Sequence, residues 1–129
     1  MITAQLPHRT VREKTVIAHV SIGVRNNDRG KPFYDAALEP LGYGRESIAL
    51  WVVSAERPVP ADEKSGLHFC IVAPSRAAVD AFHAAALRAG GRDNGAPCLR
   101  TQYDPDYYAA FVVDPDGYRI EAYCGPAER

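Results

Sequence analysis

The sequence contains an internal repeat with an offset of 49 residues, and this repeat limits the folds that the chain can adopt. Segments 18–24 and 67–73 share an apolar pattern with a histidine in second place, His19 in one and His68 in the other. The same offset aligns four later residues: Phe33 with Phe82, Ala37 with Ala86, Leu38 with Leu87 and Gly42 with Gly91. The match covers a strand, a loop and a helix without a gap, and it predicts two copies of one structural unit.

Each copy begins with a predicted strand whose two faces differ. Successive side chains of a strand point to opposite faces, so in segment 16–24 the apolar residues share one face and His19 and Ser21 the other. In the second copy, His68 and Cys70 occupy the corresponding polar face. We interpret Cys70 as a buried, inert thiol, although a reactive thiol or a soft metal ligand is an alternative.

A helix follows each strand. The first is predicted from Gly30 to Leu38, with Pro32 in its first turn. The second begins after Ser75 as N-cap and ends at Gly90. Each helix has an apolar stripe that must pack on the apolar face of its sheet. The polar face that bears the histidines is left for another role.

The second copy continues with predicted strands at 98–102, 107–113 and 118–124, which gives the order β-α-β-β-β. An Asp-Pro-Asp-Gly turn at 114–117 joins the last two. Aligning Leu50–Trp51 with Ile120–Glu121 requires an offset of 70, so the first copy has lost or shortened one strand. We therefore predict a single domain over 1–129, with module one at 16–54, a connector at 55–66 and module two at 67–124.

The composition of the chain limits the kinds of partner that it can bind. The net charge is -1, which gives no basic field to attract nucleic acid or an anionic membrane. Residues 1–14 lack the apolar stretch of a secretory signal, and no run of residues reaches membrane-spanning length. The three cysteines have no close-spaced pair, which favours reduced thiols over disulfides. These features predict a cytoplasmic protein without nucleic-acid or membrane partners.

The same segments resemble the vicinal oxygen chelate superfamily, which includes glyoxalase I, extradiol dioxygenases, fosfomycin-resistance thiol transferases and bleomycin-resistance binding proteins. The resemblance covers 16–124 and is most specific at 111–121, where a strand, the Asp-Pro-Asp-Gly turn and an Ile-Glu strand follow one another. It implies an α+β fold of two βαβββ modules. Their mixed sheet would curl into a cup with the helices outside, and the first module would be shortened.

The resemblance also implies a metal site. His19 and His68 match the family's first-strand ligands, and Glu121 matches the last-strand ligand of the second module. The fourth ligand position falls on Trp51, which cannot bind a metal. This excludes the four-ligand arrangement of glyoxalase I unless Glu46 or Glu56 takes the place of the fourth ligand. Two imidazoles and a carboxylate suit a divalent Fe, Mn, Zn or Ni ion. A polar cup without metal is the alternative.

Three functions are consistent with this pattern. The first is a metal-dependent lyase, isomerase, dioxygenase or thiol transferase whose substrate chelates the metal through adjacent oxygens. The second is a metal-free drug-binding protein of the bleomycin-resistance type, and the third is an interaction domain with a vestigial site. The predicted substrate-binding residues are Trp51, Tyr103, Tyr108 and Tyr123; His83 and Tyr107 are further candidates. The edge left by the shortened first sheet predicts a homodimer, and whether its subunits share the site stays open.

Overall fold

The computed structural model describes residues 17–59 and 64–126 of the chain. The predicted strand residue Val16 and residues 60–63 of the predicted connector lie outside these ranges. The first unit consists of β1 (Val20–Val24), α1 (Asn27–Leu38), a 3-10 helix (Glu39–Leu41) and β2 (Leu50–Ser54). The second consists of β3 (His68–Val72), α2 (Arg76–Arg88), β4 (Arg92–Leu99), β5 (Tyr108–Val113) and β6 (Arg119–Cys124).

The strands form two sheets. Strands β1 and β2 pair in parallel, with Ser21 opposite Trp51. The larger sheet has the order β3-β6-β5-β4, in which β3 and β6 are parallel and Cys70 lies opposite Glu121. The two pairs are related by the offsets of 49 and 70 residues that the repeat predicts. The α+β class, with two helices and mixed strand pairing, is therefore confirmed.

The first unit is more reduced than the sequence suggests. One lost or shortened strand was expected, but the fully described segment 39–49 between α1 and β2 contains only the 3-10 helix and turns. The first unit therefore lacks counterparts of both β4 and β5. The physical reason is length, because two more strands and their turns cannot fit into a segment that begins with a proline-containing helical turn.

The boundaries of two other elements differ from the prediction. Helix α1 begins at Asn27 rather than Gly30, because the Asn26 side chain accepts a hydrogen bond from the Asp28 N–H and acts as N-cap. Pro32 consequently lies inside the helix instead of in its first turn. Strand β4 spans Arg92–Leu99 rather than 98–102, since a turn begins at Arg100, whose carbonyl accepts a hydrogen bond from the Tyr103 N–H at 2.9 Å.

Helix α2 agrees with its prediction. The Ser75 hydroxyl accepts a hydrogen bond from the Ala78 N–H at 3.0 Å, as an N-cap does. The helix ends at Arg88, and Gly90 follows with φ +105°, in the left-handed region that favours glycine. Within the two described ranges, no helix combines the length and apolar character that crossing a bilayer requires.

The Asp-Pro-Asp-Gly turn between β5 and β6 ties the second unit to the first. The Tyr34 hydroxyl on α1 donates to Asp114 Oδ2 at 2.5 Å, and the Arg25 guanidinium pairs with Asp116 at 2.9 Å. In return, the Tyr118 hydroxyl donates to the Gly23 carbonyl in β1 at 2.7 Å. Buried apolar residues of both units form one cluster. The turn that the sequence predicts is thus also the junction of the units.

Candidate functional site

One face of the larger sheet carries a group of polar and aromatic side chains. Alternation along β3 and β6 turns Phe69, Ile71 and Ile120 toward the helices and the core, and turns the residues between them the other way. We call the resulting group the Glu121 cluster. It comprises His68, Cys70, Tyr107, Glu121 and Tyr123.

Glu121 is the centre of this cluster. It is only 4% exposed, and both of its carboxylate oxygens have partners. Oε1 lies 2.7 Å from Nε2 of His68, and Oε2 accepts a hydrogen bond from the Tyr107 hydroxyl at 2.6 Å. A buried carboxylate is costly unless it is paired and hydrogen-bonded, so these contacts allow Glu121 to remain inside the protein.

Two neighbours of Glu121 hold their protons strongly. Burial, together with the hydrogen bond to Glu121 and its charge, raises the pKa of the Tyr107 hydroxyl well above its ordinary value. Burial and the charge of Glu121 raise the pKa of the Cys70 thiol to about 11. Cys70 is nevertheless exposed at the edge strand β3, so its interpretation as a buried thiol is wrong. Near neutral pH it is a thiol rather than a reactive thiolate.

Aromatic rings surround the carboxylate. The Tyr107 ring packs on Tyr123 with centroids 4.3 Å apart, and Tyr103 meets Tyr107 at 5.1 Å. The Phe111 ring lies 5.8 Å from the His68 ring. Two of the predicted substrate-binding residues, Tyr103 and Tyr123, therefore lie at this site.

Tyr108, another predicted substrate-binding residue, lies elsewhere. It follows Tyr107 by one position, so alternation along β5 turns it toward α2, where its hydroxyl donates to Asp80 at 2.6 Å. His83 is also remote from Glu121, since its Nε2 lies 2.8 Å from an Asp93 carboxylate oxygen. The structure thus assigns both side chains to contacts between α2 and its sheet.

His19 lies apart from the other two predicted ligands. It is exposed just before β1, and its ring meets Trp51 edge-on at a centroid distance of 5.3 Å. Within residues 17–59 and 64–126, no three His, Cys, Asp or Glu side chains are arranged to hold a metal ion. The structure therefore brings His68 and Glu121 together and leaves His19 beside Trp51. The reason is that β1 and β3 belong to separate sheets.

The pair that does meet fits a metal site in part. Two donor atoms bound at about 2.0–2.1 Å to one tetrahedral Zn²⁺ lie about 3.3 Å apart. The 2.7 Å between His68 Nε2 and Glu121 Oε1 is a hydrogen-bond distance, so these atoms would have to move apart by about 0.6 Å and give up the shared proton to hold an ion. In one chain they could supply two donors, and a metal site would need at least one more.

The same pair can also act on protons. Both oxygens of a carboxylate accept hydrogen bonds, so the contact with Glu121 favours the tautomer of neutral His68 that carries its proton on Nε2. The Nδ1 atom is then the basic nitrogen. His68 is 35% exposed through its side chain, which leaves room for a substrate or water to approach.

The sequence does not single out two of the residues at this site. Tyr107 is one of several aromatic candidates in the sequence, and Phe111 is not among the predicted site residues. The signal that could have identified them is strand pairing, because Phe111 lies directly opposite Glu121 across β5 and β6. Tyr107 shares the alternation of Phe111, so it belongs to the same face.

Comparison with known proteins finds no family model that matches the chain. A search of curated proteins also finds no match. Solved structures do match. A glyoxalase-related enzyme from Fulvimarina pelagi has a TM-score of 0.67 at 14% identity, over 87% of this chain and 89% of that one. A glyoxalase/bleomycin resistance protein/dioxygenase family enzyme from Burkholderia phytofirmans has a TM-score of 0.64 at 14% identity, over 84% and 98%. At this level of identity they show the fold alone.

A solved structure with higher sequence identity shows the family as well as the fold. A glyoxalase/bleomycin resistance protein from Albidiferax ferrireducens is 30% identical to this chain, with a TM-score of 0.73. The match covers 85% of this chain and 99% of that one. These values confirm the superfamily resemblance seen in the sequence, and the chain belongs to the glyoxalase/bleomycin resistance protein family.

Proposed function

We propose that the chain is a metal-dependent enzyme whose small-molecule substrate binds the metal through two adjacent oxygen atoms, and that two copies share the metal site. The observation that carries the proposal is the His68 Nε2 to Glu121 Oε1 separation of 2.7 Å. His19 holds the position in the first unit that His68 holds in the second. A second copy of the chain is therefore a natural source of the missing donor.

The exposed faces of the two units support sharing. Trp51 is 55% exposed beside His19, and Tyr103 is 62% exposed beside the Glu121 cluster. Large apolar side chains in such positions favour an interface. In a twofold dimer, the first unit of each copy would face the second unit of the other. The two sheet faces would form a cup, and the dimer would contain two equivalent sites.

His68 and Glu121 of one copy and His19 of the other would hold the ion, which the ligand types limit to a divalent Fe, Mn, Zn or Ni. When bound, such an ion supplies a Lewis acid for the substrate oxygens. The remaining roles belong to the chain. Tyr107 fixes Glu121 by its hydrogen bond to Oε2, which leaves Oε1 directed at His68. The rings of Tyr123 and Phe111 exclude water and offer flat surfaces to a substrate.

A metal-free binding protein is the second candidate. It is favoured by Trp51, which occupies the fourth ligand position and lies against His19, and by the stacked rings of Tyr103, Tyr107 and Tyr123. Aromatic surfaces of this kind bind planar ligands without a metal. This candidate predicts ligand-induced quenching of Trp51 fluorescence that chelators do not change.

Mixing two inactive variants tests the shared site. His19→Ala and His68→Ala each remove one donor from every site of their own homodimers, so each variant alone should lose most of its bound metal. A heterodimer of the two, isolated with two different affinity tags, regains one site in which His19, His68 and Glu121 are all intact. We expect it to bind one metal ion per dimer, measured by elemental analysis.

A site within one chain would not be rescued in this way, because each chain of the heterodimer lacks one donor. Failure to regain metal would therefore contradict sharing. Wild-type protein that takes up no transition metal on titration would contradict the enzyme proposal as a whole. The binding-protein candidate would then stand, and fluorescence of Trp51 would test it.

A further inference from the structure

An apolar cavity of about 390 Å³ lies between the edge strands β1 and β3 of the two sheets. Its walls include core-facing residues of both sheets, among them Val20, Leu50 and Phe69, and the loop residue Ile48. Neither His68 nor Glu121 lines it. Cavities of this size hold drug-sized molecules, and those that do are lined mostly by apolar and aromatic side chains.

The cavity wall has few polar groups, and two of them, the hydroxyls of Tyr34 and Ser47, already form hydrogen bonds within the protein. Among the described residues that line it, none carries a formal charge at neutral pH. The Tyr34 hydroxyl donates to Asp114, and the Ser47 hydroxyl both donates to the Gly44 carbonyl and accepts from the Gly44 N–H, each at 2.8 Å. A charged ligand would lose its hydration there without gaining an ionic partner. The cavity therefore favours an uncharged, apolar ligand.

One wall of the cavity is held in place by the protein itself. The loop before β2 is closed by a hydrogen bond from the Leu50 N–H to the Arg45 carbonyl at 3.0 Å. The Arg45 guanidinium is fixed in turn by Asp35 on α1 at 2.7 Å. Ala49 adopts φ +55°, a strained conformation that persists only where the surroundings enforce it. A wall that is already ordered reduces the entropic cost of binding.

We propose that this cavity binds an uncharged, largely hydrocarbon small molecule. The proposal does not depend on the metal site, since the two use different residues and different chemistry. The cavity reaches Cys70, which is exposed and also belongs to the Glu121 cluster. Because the Cys70 side chain also contacts Glu121 and Tyr107, its protection reports on the cavity only if Ile48→Lys abolishes the protection.

The first test uses prodan, a neutral naphthalene dye whose emission shifts to the blue in apolar surroundings. Full-length protein should bind it with a blue shift, and a naphthalenesulfonate of similar size should bind at least about tenfold more weakly because of its charge. Ile48→Lys places an ammonium group in the cavity wall and should weaken prodan binding at least about tenfold. Leu87→Lys, on the outer surface of α2, is the matched control and should change the affinity less than about twofold.

The second test compares the alkylation of two cysteines, in the wild type and in Ile48→Lys. Bound prodan should slow alkylation of Cys70 and leave alkylation of Cys98, which is exposed on β4 and does not line the cavity, unchanged. Equal effects on the two cysteines, or equal effects of Ile48→Lys and Leu87→Lys, would overturn the proposal. So would full-length protein that does not take up prodan, because the cavity would then be filled by another part of the protein.

Discussion

At the residue scale, the position of Glu121 determines what the site can do. Its carboxylate is buried, but both of its oxygens have a partner. The Tyr107 hydroxyl donates a hydrogen bond to Oε2, and His68 Nε2 lies within hydrogen-bond distance of Oε1. The two contacts are not equivalent. His68 can bind a metal, whereas Tyr107 keeps its proton and can only orient the carboxylate.

Tyr107→Phe tests this orienting role. The substitution removes the hydrogen bond to Glu121 Oε2 and keeps the ring that packs on Tyr123. Loss of a hydrogen bond that orients a ligand typically lowers metal affinity about 10–100-fold, and we expect a decrease of that size. Competition with a chromophoric chelator would measure it. Tyr103→Phe is the control, because Tyr103 contacts the Tyr107 ring, and an equal effect of both variants would contradict the role of Tyr107.

At the element scale, the turn between β5 and β6 does more than reverse the chain. Asp114 accepts hydrogen bonds from the N–H groups of Asp116 and Tyr118, each at 2.8 Å, and from the Tyr34 hydroxyl. The same carboxyl therefore shapes the turn and fastens α1 to it. Burial raises the pKa of Asp114 above its ordinary 3.8, although these hydrogen bonds oppose the shift.

This raised pKa predicts how stability depends on pH. The folded state favours the protonated form of Asp114, so its contribution to the free energy of unfolding is full below the unfolded pKa and is lost as the pH rises through the folded pKa. Asp114→Asn cannot ionise. Relative to the wild type, the variant should therefore become more stable as the pH rises from acidic values toward neutrality, as urea unfolding at a series of pH values would measure.

Asp93→Asn provides a control of opposite sign. The N–H of Gly95 and the His83 side chain lower the pKa of Asp93, so its contribution is present above the unfolded pKa and is lost as the pH falls. The Asp93 variant should show the reverse trend, and a smaller one because Asp93 is exposed. Parallel trends for the two variants would contradict the assignment of the shift to burial of Asp114.

At the scale of the whole molecule, the exposed sheet face of the first unit supports the proposed homodimer. Among the residues that the structure describes, Trp51 is the largest side chain on this face, and it is 55% exposed. A homodimer would bury it and bring His19 of one copy toward His68 of the other.

Trp51→Asp tests this interface. An ionised aspartate cannot be buried in an apolar contact without a partner, so the variant should sediment as a monomer where the wild type sediments as a dimer. Val59→Asp is a matched control, because Val59 has the same 55% exposure but lies after β2 in the connector. A wild type that is monomeric at micromolar concentration, or two variants with the same mass, would contradict the proposed dimer.

Local signals were enough to predict some elements and misplaced others. Ser75 and Gly90 located α2 because a cap and a left-handed glycine act within a few residues. Placing Pro32 in the first turn of α1 put the predicted start of the helix too late, because the N-cap Asn26 lies further upstream. The position of β4 could not be predicted in the same way. The position of β4 is fixed by its pairing with β5, and the register of this pairing shifts around Gly95 in β4. Strand pairing is not a local property of the sequence.

The sequence by itself determined the repeat of a strand and a helix, because alternation and helical periodicity are local properties. That His68 and Glu121 belong to one site was implied by the family resemblance. Only the tertiary structure decided that His19 lies beside Trp51 instead, and that β1 and β3 lie in separate sheets. A repeat specifies which positions are equivalent. It does not specify which equivalent faces meet, since that depends on how α1, α2 and the Asp-Pro-Asp-Gly turn pack the two units together.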